Sequence, residues 1–169
     1  MSSAIISECG LFRYRLERDT GGGGEIVAAI LGVNPSTADA TVNDQTIRKD
    51  LGFAARLGWR RIIKGNLFAY RSTDIRALRT IHDPIGPDND AHLDQIMRDA
   101  DVVVAAWGAK NKLPDHLQSR YRKIIQIADR VGKPLMCWGV CSDGSPRHPL
   151  MLPYSAELLL WHKGCGHGR

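Results

Sequence analysis

The apolar positions of the chain fall into short continuous runs that are separated by amphipathic stretches. The clearest run spans 26–33 and ends abruptly at Asn34, Pro35 and Ser36. An uninterrupted apolar run bounded by glycine and proline is typical of a strand buried on both faces of a parallel sheet. The polar loop after such a strand is where open α/β sheets bind ligands. Because asparagine and proline also form ordinary turns, a plain turn is the alternative interpretation.

Three further runs resemble this one, at 61–65, 101–108 and 133–139. Amphipathic stretches between the runs predict helices from a cap at Asn43 or Asp44 to Gly58, then over 89–99 and 115–131. Strands that alternate with helices predict right-handed crossovers and a parallel sheet with helices on both faces.

The segment before the first run predicts one more strand. Residues 11–16 alternate apolar and basic side chains, and four glycines at 21–24 lead into the apolar run. This pattern favours a hairpin, with 11–16 lying antiparallel beside 26–33 at a sheet edge. The glycines do not form a phosphate-binding loop, because a strand follows them and the required lysine is missing.

We therefore predict a three-layer α/β/α fold with a mainly parallel sheet of about four strands and an N-terminal antiparallel edge strand. The chain has 169 residues, of which 43% are hydrophobic, enough for one core and few for two. The prediction is one domain, with a hairpin strand and glycine loop at 1–25, a core at 26–153 and a tail at 154–169.

Charge and cysteine usage narrow the class of protein. The net charge of +5 favours a polyanionic partner, although the dispersed positive residues also suit a solvated basic surface. The four cysteines show no paired C-x-x-C spacing and no apolar leader follows Met1, which predicts a reduced, cytoplasmic protein without a metal or cofactor. A metal cluster of Cys141, His162, Cys165 and His167 is a weaker alternative. No segment has the length and apolar character of a membrane span.

Three motifs carry a family resemblance. They are Asn-Pro-Ser-Thr-Ala-Asp at 34–39, Asn-Leu-Phe-Ala-Tyr-Arg at 66–71, and Asp-Pro-Ile-Gly-Pro-Asp-Asn-Asp at 83–90. On these motifs the chain is identified as a member of a bacterial domain-of-unknown-function family, number 1643. That membership names no reaction, so the function has to be argued from the site.

A more remote resemblance links strand-end segments at 32–36, 62–71, 102–108 and 147–150 to the motif series of the uracil-DNA glycosylase superfamily. The resemblance implies the three-layer fold and cleavage of the bond between a base and its deoxyribose. It also implies that Asn34 positions the attacking water, Asn66 reads the base edge and His148 lies over the base.

The residue chemistry is compatible with these roles. A carboxamide such as Asn66 offers a donor and an acceptor to a base, and His148 can donate to a carbonyl oxygen of the departing base. Asn34 can orient a water but cannot take its proton, which leaves Asp39 and Asp44 as carboxylates that could act as a base. For Asp44 we favour helix capping instead.

The candidate catalytic residues are therefore Asn34, Asp39 and His148. Candidate binding residues either line a base pocket, contact phosphates or wedge between bases. They are Ser36, Thr37, Asp44, Arg48, Asn66, Tyr70, Arg71, Trp107, Arg147 and Leu150.

The favoured function is an N-glycosidic hydrolase that acts on a modified or mismatched base in DNA, after the base has left the stack. One alternative is a non-catalytic reader of modified bases or nucleic-acid ends. Another is an enzyme that acts on a free nucleotide or nucleoside. The expected partners are thus DNA and a nucleobase or nucleotide ligand.

Overall fold

The structure, a computed structural model, describes residues 2–164. Those residues form seven strands and three α-helices. The strands are β1 (Ser2–Ile6), β2 (Arg13–Asp19), β3 (Val27–Gly32), β4 (Arg61–Asn66), β5 (Val102–Ala105), β6 (Leu135–Cys137) and β7 (Leu159–His162). The helices are α1 (Gln45–Arg56), α2 (Asn89–Asp99) and α3 (Tyr121–Val131).

All seven strands of the described chain join one sheet, in the order β1-β2-β4-β3-β5-β6-β7. The four central strands run parallel, whereas β1, β2 and β7 pair antiparallel at the two sides. The predicted α/β class is therefore confirmed, and the sheet as a whole is mixed. The flanking strands β1 and β7 were not predicted.

The predicted hairpin between 11–16 and 26–33 is wrong. Strand β2 pairs with β4 on one side, where Leu16 lies opposite Lys64, and with β1 on the other. Strand β3 has no free edge for β2, because β4 and β5 occupy both of its sides in parallel. The edge position belongs instead to β1.

The helices begin and end where local chemistry allows. The Asp44 side chain caps α1 by accepting a hydrogen bond from the Ile47 backbone N–H at 2.8 Å, as its predicted capping role requires. Gly58 follows this helix with a φ of 68°, a left-handed conformation that glycine adopts without strain. The predicted helix over 115–131 is α-helical only from Tyr121, and Asp115–Arg120 forms a 3-10 helix.

Apolar side chains cover both faces of the sheet. Ala29 and Leu31 of β3 belong to the cluster that packs against α2 and α3. Ala28 and Ile30 belong to the cluster on the opposite face, which includes Phe53 of α1. The alternation along β3 explains its uninterrupted apolar sequence, since every residue from Val27 to Gly32 is buried.

The sheet order favours ligand binding at the carboxyl ends of the central parallel strands. From β3 the chain crosses to β4 on one side and later returns to β5 on the other, so the connections diverge between β3 and β5. Ligands in open α/β sheets bind outside the carboxyl ends of the strands at such a point. Gly32 lies beside Asn66, and Leu31 lies beside Ala105, at those carboxyl ends.

No helix within residues 2–164 combines the length and the hydrophobicity that crossing a membrane requires.

Candidate functional site

A small cavity of about 40 Å³ opens at the carboxyl ends of β3 and β4, and we call it the strand-end cavity. Its wall contains Asn34, Asn66 and His148, which come from three distant segments of the chain. The remaining lining residues are Arg13, Gly32, Val33, Ser36, Asp44, Thr46, Ile47 and Lys64. The cavity thus brings together the two asparagines and the histidine that the sequence singled out.

Backbone pairing holds the three segments together. The Leu67 N–H donates to the Gly32 carbonyl at 2.9 Å, which continues the β3 and β4 pairing past Asn66. On the other side, the Gly108 N–H donates to the Pro146 carbonyl at 2.9 Å. Gly108 has a φ of 83°, and a side chain there would lie 3.3 Å from His148 Cβ. A glycine at 108 therefore lets the His148 loop approach the sheet.

The Asn34 side chain is anchored through its nitrogen. Nδ2 donates to the Ser72 carbonyl at 2.9 Å and to the Pro35 carbonyl at 3.2 Å. These bonds fix the orientation of the carboxamide and occupy its donor group. The carbonyl oxygen Oδ1 accepts no hydrogen bond from the described residues, so it is the atom available to orient a water or ligand.

Asn66 is buried at the cavity wall, with 2% of its surface exposed. Its Nδ2 has no hydrogen-bond partner among residues 2–164. Gly32 permits this position, because a side chain at 32 would lie 2.8 Å from Asn66 Oδ1. A buried amide without a partner costs free energy, and a ligand that accepts its hydrogen bond would recover that cost.

Two residues behind the cavity fix the backbone of Asn66. Asn89 Nδ2 donates to the carbonyls of Asn66 and Leu67, each at 3.1 Å. Arg120 Nε donates to the same Leu67 carbonyl at 2.9 Å and its guanidinium also pairs with Asp90. Asn89 and Asp90 belong to the third sequence motif, 83–90, which thereby gains a structural role that the sequence alone did not reveal.

His148 is positioned as a neutral hydrogen-bond donor. The Leu150 backbone N–H donates to His148 Nδ1 at 3.2 Å, so in the neutral ring the proton resides on Nε2. Burial, together with the positive charges of Lys64 and Lys112, lowers the pKa of His148 to about 4, against a smaller opposing effect of Asp44. The imidazole is therefore uncharged at neutral pH.

A buried ion pair lies beside the cavity and was not predicted. Lys64 Nζ lies 2.7 Å from Asp50 Oδ2, and the two side chains are 4% and 0% exposed. Burial raises the pKa of Asp50, while the charge of Lys64 acts in the opposite direction. The available signals were a lysine inside an apolar strand and an aspartate on the apolar face of α1, three residues after Ile47.

Arg13 is a second buried cation that sequence reasoning missed. It is 2% exposed, lines the cavity and donates through Nη1 to the Ala38 carbonyl. Burial lowers the pKa of Arg13 to about 10, with Asp44 opposing the shift. We use the name floor cluster for Arg13, Asp50, Lys64 and Asn66.

Asp39 lies outside the cavity wall, contrary to its predicted catalytic position. Its Oδ1 accepts hydrogen bonds from the backbone N–H groups of Thr41 and Val42, at 2.8 and 2.9 Å, and from the Thr41 hydroxyl at 3.1 Å. These bonds lower the pKa of Asp39. A carboxylate that stabilises its own turn and binds protons weakly is poorly suited to act as a base.

Two aromatic residues predicted for the pocket also lie elsewhere. Trp107 packs in the core on the α2 and α3 side, where its ring makes an edge contact with Trp161 at 5.3 Å between centroids. Tyr70 packs partly buried against the same core and contacts Phe12. Both side chains extend the hydrophobic core instead of facing a ligand.

The other predicted binding residues line three open grooves around the cavity. The first groove, beside the start of α1, contains Ser36, Thr37, Asp44, Arg48 and Leu150. The second, beside the 147–152 loop, contains Arg147, His148, Leu150 and Met151. The third contains Ser36, Thr37 and Arg71. Ser36, Asp44 and His148 belong to both the cavity and a groove, so the grooves continue directly from its mouth.

A family model described as a protein of unknown function, DUF1643, matches residues 13–150. The chain belongs to the DUF1643 family. The matched region contains every residue that lines the strand-end cavity, and it leaves out β1 and β7. No curated protein and no solved structure matched the chain.

The described part of this DUF1643 protein contains no group of three histidine, cysteine or acidic side chains arranged to hold a metal ion. Cys165 and His167, which the weaker metal hypothesis requires, lie outside the described residues.

Proposed function

We propose that this protein is an N-glycosidic hydrolase that acts on a modified or mismatched base in DNA, with the three-layer arrangement of the uracil-DNA glycosylase type. The observation that supports the proposal is the strand-end cavity, where Asn34, Asn66 and His148 converge at the carboxyl ends of parallel strands. Such an edge is the usual ligand site of an α/β sheet.

The reaction breaks the bond between C1′ of the deoxyribose and a ring nitrogen of the base. The bonding electrons leave with the base, while water supplies a hydroxyl to C1′ and, in the end, a proton to the base. Negative charge therefore develops on the oxygens of the departing base. A neutral His148 with its proton on Nε2 stabilises that charge by donating a hydrogen bond to a carbonyl oxygen.

Asn66 and Asn34 have separate tasks in this scheme. The unpaired Nδ2 of Asn66 donates to an acceptor on the base edge, and its Oδ1 accepts from a ring N–H. The free Oδ1 of Asn34 accepts a hydrogen bond from the attacking water and orients it towards C1′. Because an amide does not remove a proton, stabilisation of the leaving base supplies most of the rate enhancement.

The grooves suit a polynucleotide. At about 40 Å³ the cavity accommodates the polar edge of a base, so the sugar and phosphates would lie in the grooves outside it. Arg48, Arg71 and Arg147 line those grooves and would contact phosphates. Met151 is 89% exposed and Leu150 37%, on a short 3-10 turn, where they would fill the space that a flipped base leaves.

A non-catalytic reader of modified bases is the second candidate, and one observation favours it. The described carboxylates near the cavity all have structural bonds: Asp39 stabilises a turn, Asp44 caps α1 and Asp50 pairs with Lys64. A reader needs the cavity and the grooves but no general base.

A screen of DNA duplexes that carry different modified or mismatched bases, followed by alkali treatment, separates the two candidates. The hydrolase proposal expects strand scission at the modified base of at least one duplex, and duplex binding that weakens steeply as salt is raised. Asn111→Ala, an exposed substitution away from the cavity, should behave as wild type. Duplex binding without scission would overturn the hydrolase and select the reader.

A further inference from the structure

We propose that the strand-end cavity binds a negatively charged, oxygen-bearing group, and that Arg13 is the residue that selects for this charge. The inference rests on the proposed function for the nucleic-acid origin of the ligand, which supplies the group either as an acidic base or as a phosphate. The affinity of the cavity for an anion can be measured without any reaction.

Several hydrogen-bond donors of the cavity residues have no partner in the part of the chain that the structure describes. Arg13 Nε and Asn66 Nδ2 are buried without hydrogen-bond partners in residues 2–164. Lys64 has three N–H donors, of which one bonds to Asp50. These residues line one cavity, and a ligand with several acceptors would satisfy donors that the described chain leaves unpaired.

The two buried cations of the cavity differ in how their charge is balanced. The Lys64 charge is balanced by Asp50 at 2.7 Å. Arg13, by contrast, bonds to the backbone carbonyl of Ala38 and forms no ion pair within the described chain. A guanidinium that is 2% exposed and lacks a carboxylate partner is costly to bury. A ligand anion would supply the missing counter-charge.

The acidic residue of the cavity wall, Asp44, raises the pKa of Arg13 through its charge, but the two side chains form no ion pair within the described chain. Asp44 is the carboxylate among the described lining residues, and its Oδ1 accepts the Ile47 N–H as the cap of α1. Its charge is favourable at the start of a helix, where the dipole is positive. His148 adds no negative charge, because its ring is neutral or positive.

Arg18 provides a matched control. Like Arg13, it is a buried arginine of β2 that donates to the 38–43 loop, through bonds to the Asp39 and Val42 carbonyls and to Asn43 Oδ1. Unlike Arg13, it does not line the cavity. Substitution of either arginine removes a loop contact, and only the Arg13 substitution removes a charge from the cavity.

Calorimetric titration with inorganic phosphate, orotate and uracil tests the proposal on the whole protein. We expect phosphate or orotate to bind more tightly than neutral uracil. Arg13→Gln should weaken that binding at least roughly tenfold, as expected for one lost charge-assisted hydrogen bond, and Arg18→Gln should leave it nearly unchanged. Tighter binding of orotate identifies an acidic base, as the hydrolase proposal requires. Tighter binding of phosphate identifies a phosphate as the natural group and would contradict the placement of the base in the cavity.

If Arg13→Gln does not fold, the Nε–H resonance of Arg13 in the wild-type protein gives the same information, because it should shift as phosphate or orotate is added. Uracil binding as tight as that of both anions, anion binding that survives Arg13→Gln, or an unmoved Arg13 resonance would overturn the proposal. The titrations involve no release of a base, so a negative result in them would leave the hydrolase proposal intact. A duplex screen without strand scission would, in turn, leave the anion-binding proposal intact.

Discussion

The two sides of the sheet differ in what they bury near the carboxyl ends of the strands. Under α2 and α3 lies an apolar core with Phe68, Leu93, Ile96 and Ile124 at its centre. The polar residues buried on this side, Asn89 and Arg120, donate hydrogen bonds to backbone carbonyls. On the α1 side the floor cluster buries two cations, a carboxylate and an amide beside the cavity. Apolar burial stabilises a fold, whereas buried charges usually do not stabilise it relative to apolar residues. We therefore propose that the floor cluster serves ligand binding.

The largest effect should come from breaking the buried ion pair. Asp50→Ala leaves Lys64 charged and unpaired, and should lower the free energy of unfolding by about 3–5 kcal/mol. The double substitution Asp50→Leu with Lys64→Met should restore stability to the wild-type value or raise it by about 1–4 kcal/mol, while binding in the cavity is lost. Urea unfolding measures the free energy of unfolding of the single and the double variant. A double variant as unstable as Asp50→Ala would show that the pair itself stabilises the fold.

Substitution of Asn89 should lower the free energy of unfolding less than substitution of Asp50 does, and it should still weaken ligand binding. Asn89→Ala leaves the carbonyls of Asn66 and Leu67 with fewer donors, which should cost about 1–3 kcal/mol. It should also weaken ligand binding, because the backbone of Asn66 loses its support. The control is Asn111→Ala, an exposed asparagine, for which a change within about 0.5 kcal/mol is expected. Equal unfolding free energies for the two variants would contradict the supporting role.

The neutral state of His148 predicts a pH dependence. The pKa is 6.5 for an ordinary histidine and about 4 in the folded protein, so between these values the unfolded chain binds the extra proton. Stability due to this group is complete above pH 6.5 and is lost as the pH falls towards 4, by roughly 1–3 kcal/mol. His148→Asn, which can still cap the turn at 149–151, should lack this component. If the free energy of unfolding depended on pH in the same way in wild type and His148→Asn, the neutral state of His148 would be contradicted.

Met151 should give the smallest effect on stability. Its side chain is 89% exposed, so Met151→Ala should change the free energy of unfolding by less than about 0.5 kcal/mol. Affinity for duplex DNA should nevertheless fall, because the apolar wedge is shortened. Duplex binding measured by fluorescence anisotropy at fixed salt checks this, and an unchanged affinity would remove Met151 from the proposed interface.

Much of the scaffold was predictable because its signals are local. The unbroken apolar run of β3 predicted burial on both faces, and the proline-rich loop before α2 marked where that helix begins, at Asn89. The exchange of partners around β2 was not predictable from the glycine link, because pairing depends on which strand edge is free in the assembled sheet.

The residues of the site also divide into those that the sequence could predict and those that it could not. Asn34 and Asn66 could be placed because each follows the end of an apolar strand, where the fold brings strand ends together. Lys64 and Asp50 could not, since their contact depends on the packing of α1 against β4. Trp107 was assigned to the wrong surface because a residue beyond the last paired position of a strand has no fixed alternation, and here it packs into the core.

We propose that the strand-end cavity holds a base while its bond to deoxyribose breaks. The most direct test of this proposal is the single-turnover rate of free-base release from the duplex that is cleaved in the alkali screen, with wild type, His148→Ala and the control Asn111→Ala. We predict that His148→Ala slows release by roughly a hundredfold or more, as loss of one donor to a developing anion does, and that the control matches wild type. Equal rates in wild type and His148→Ala, or no base released from any duplex, would contradict the account.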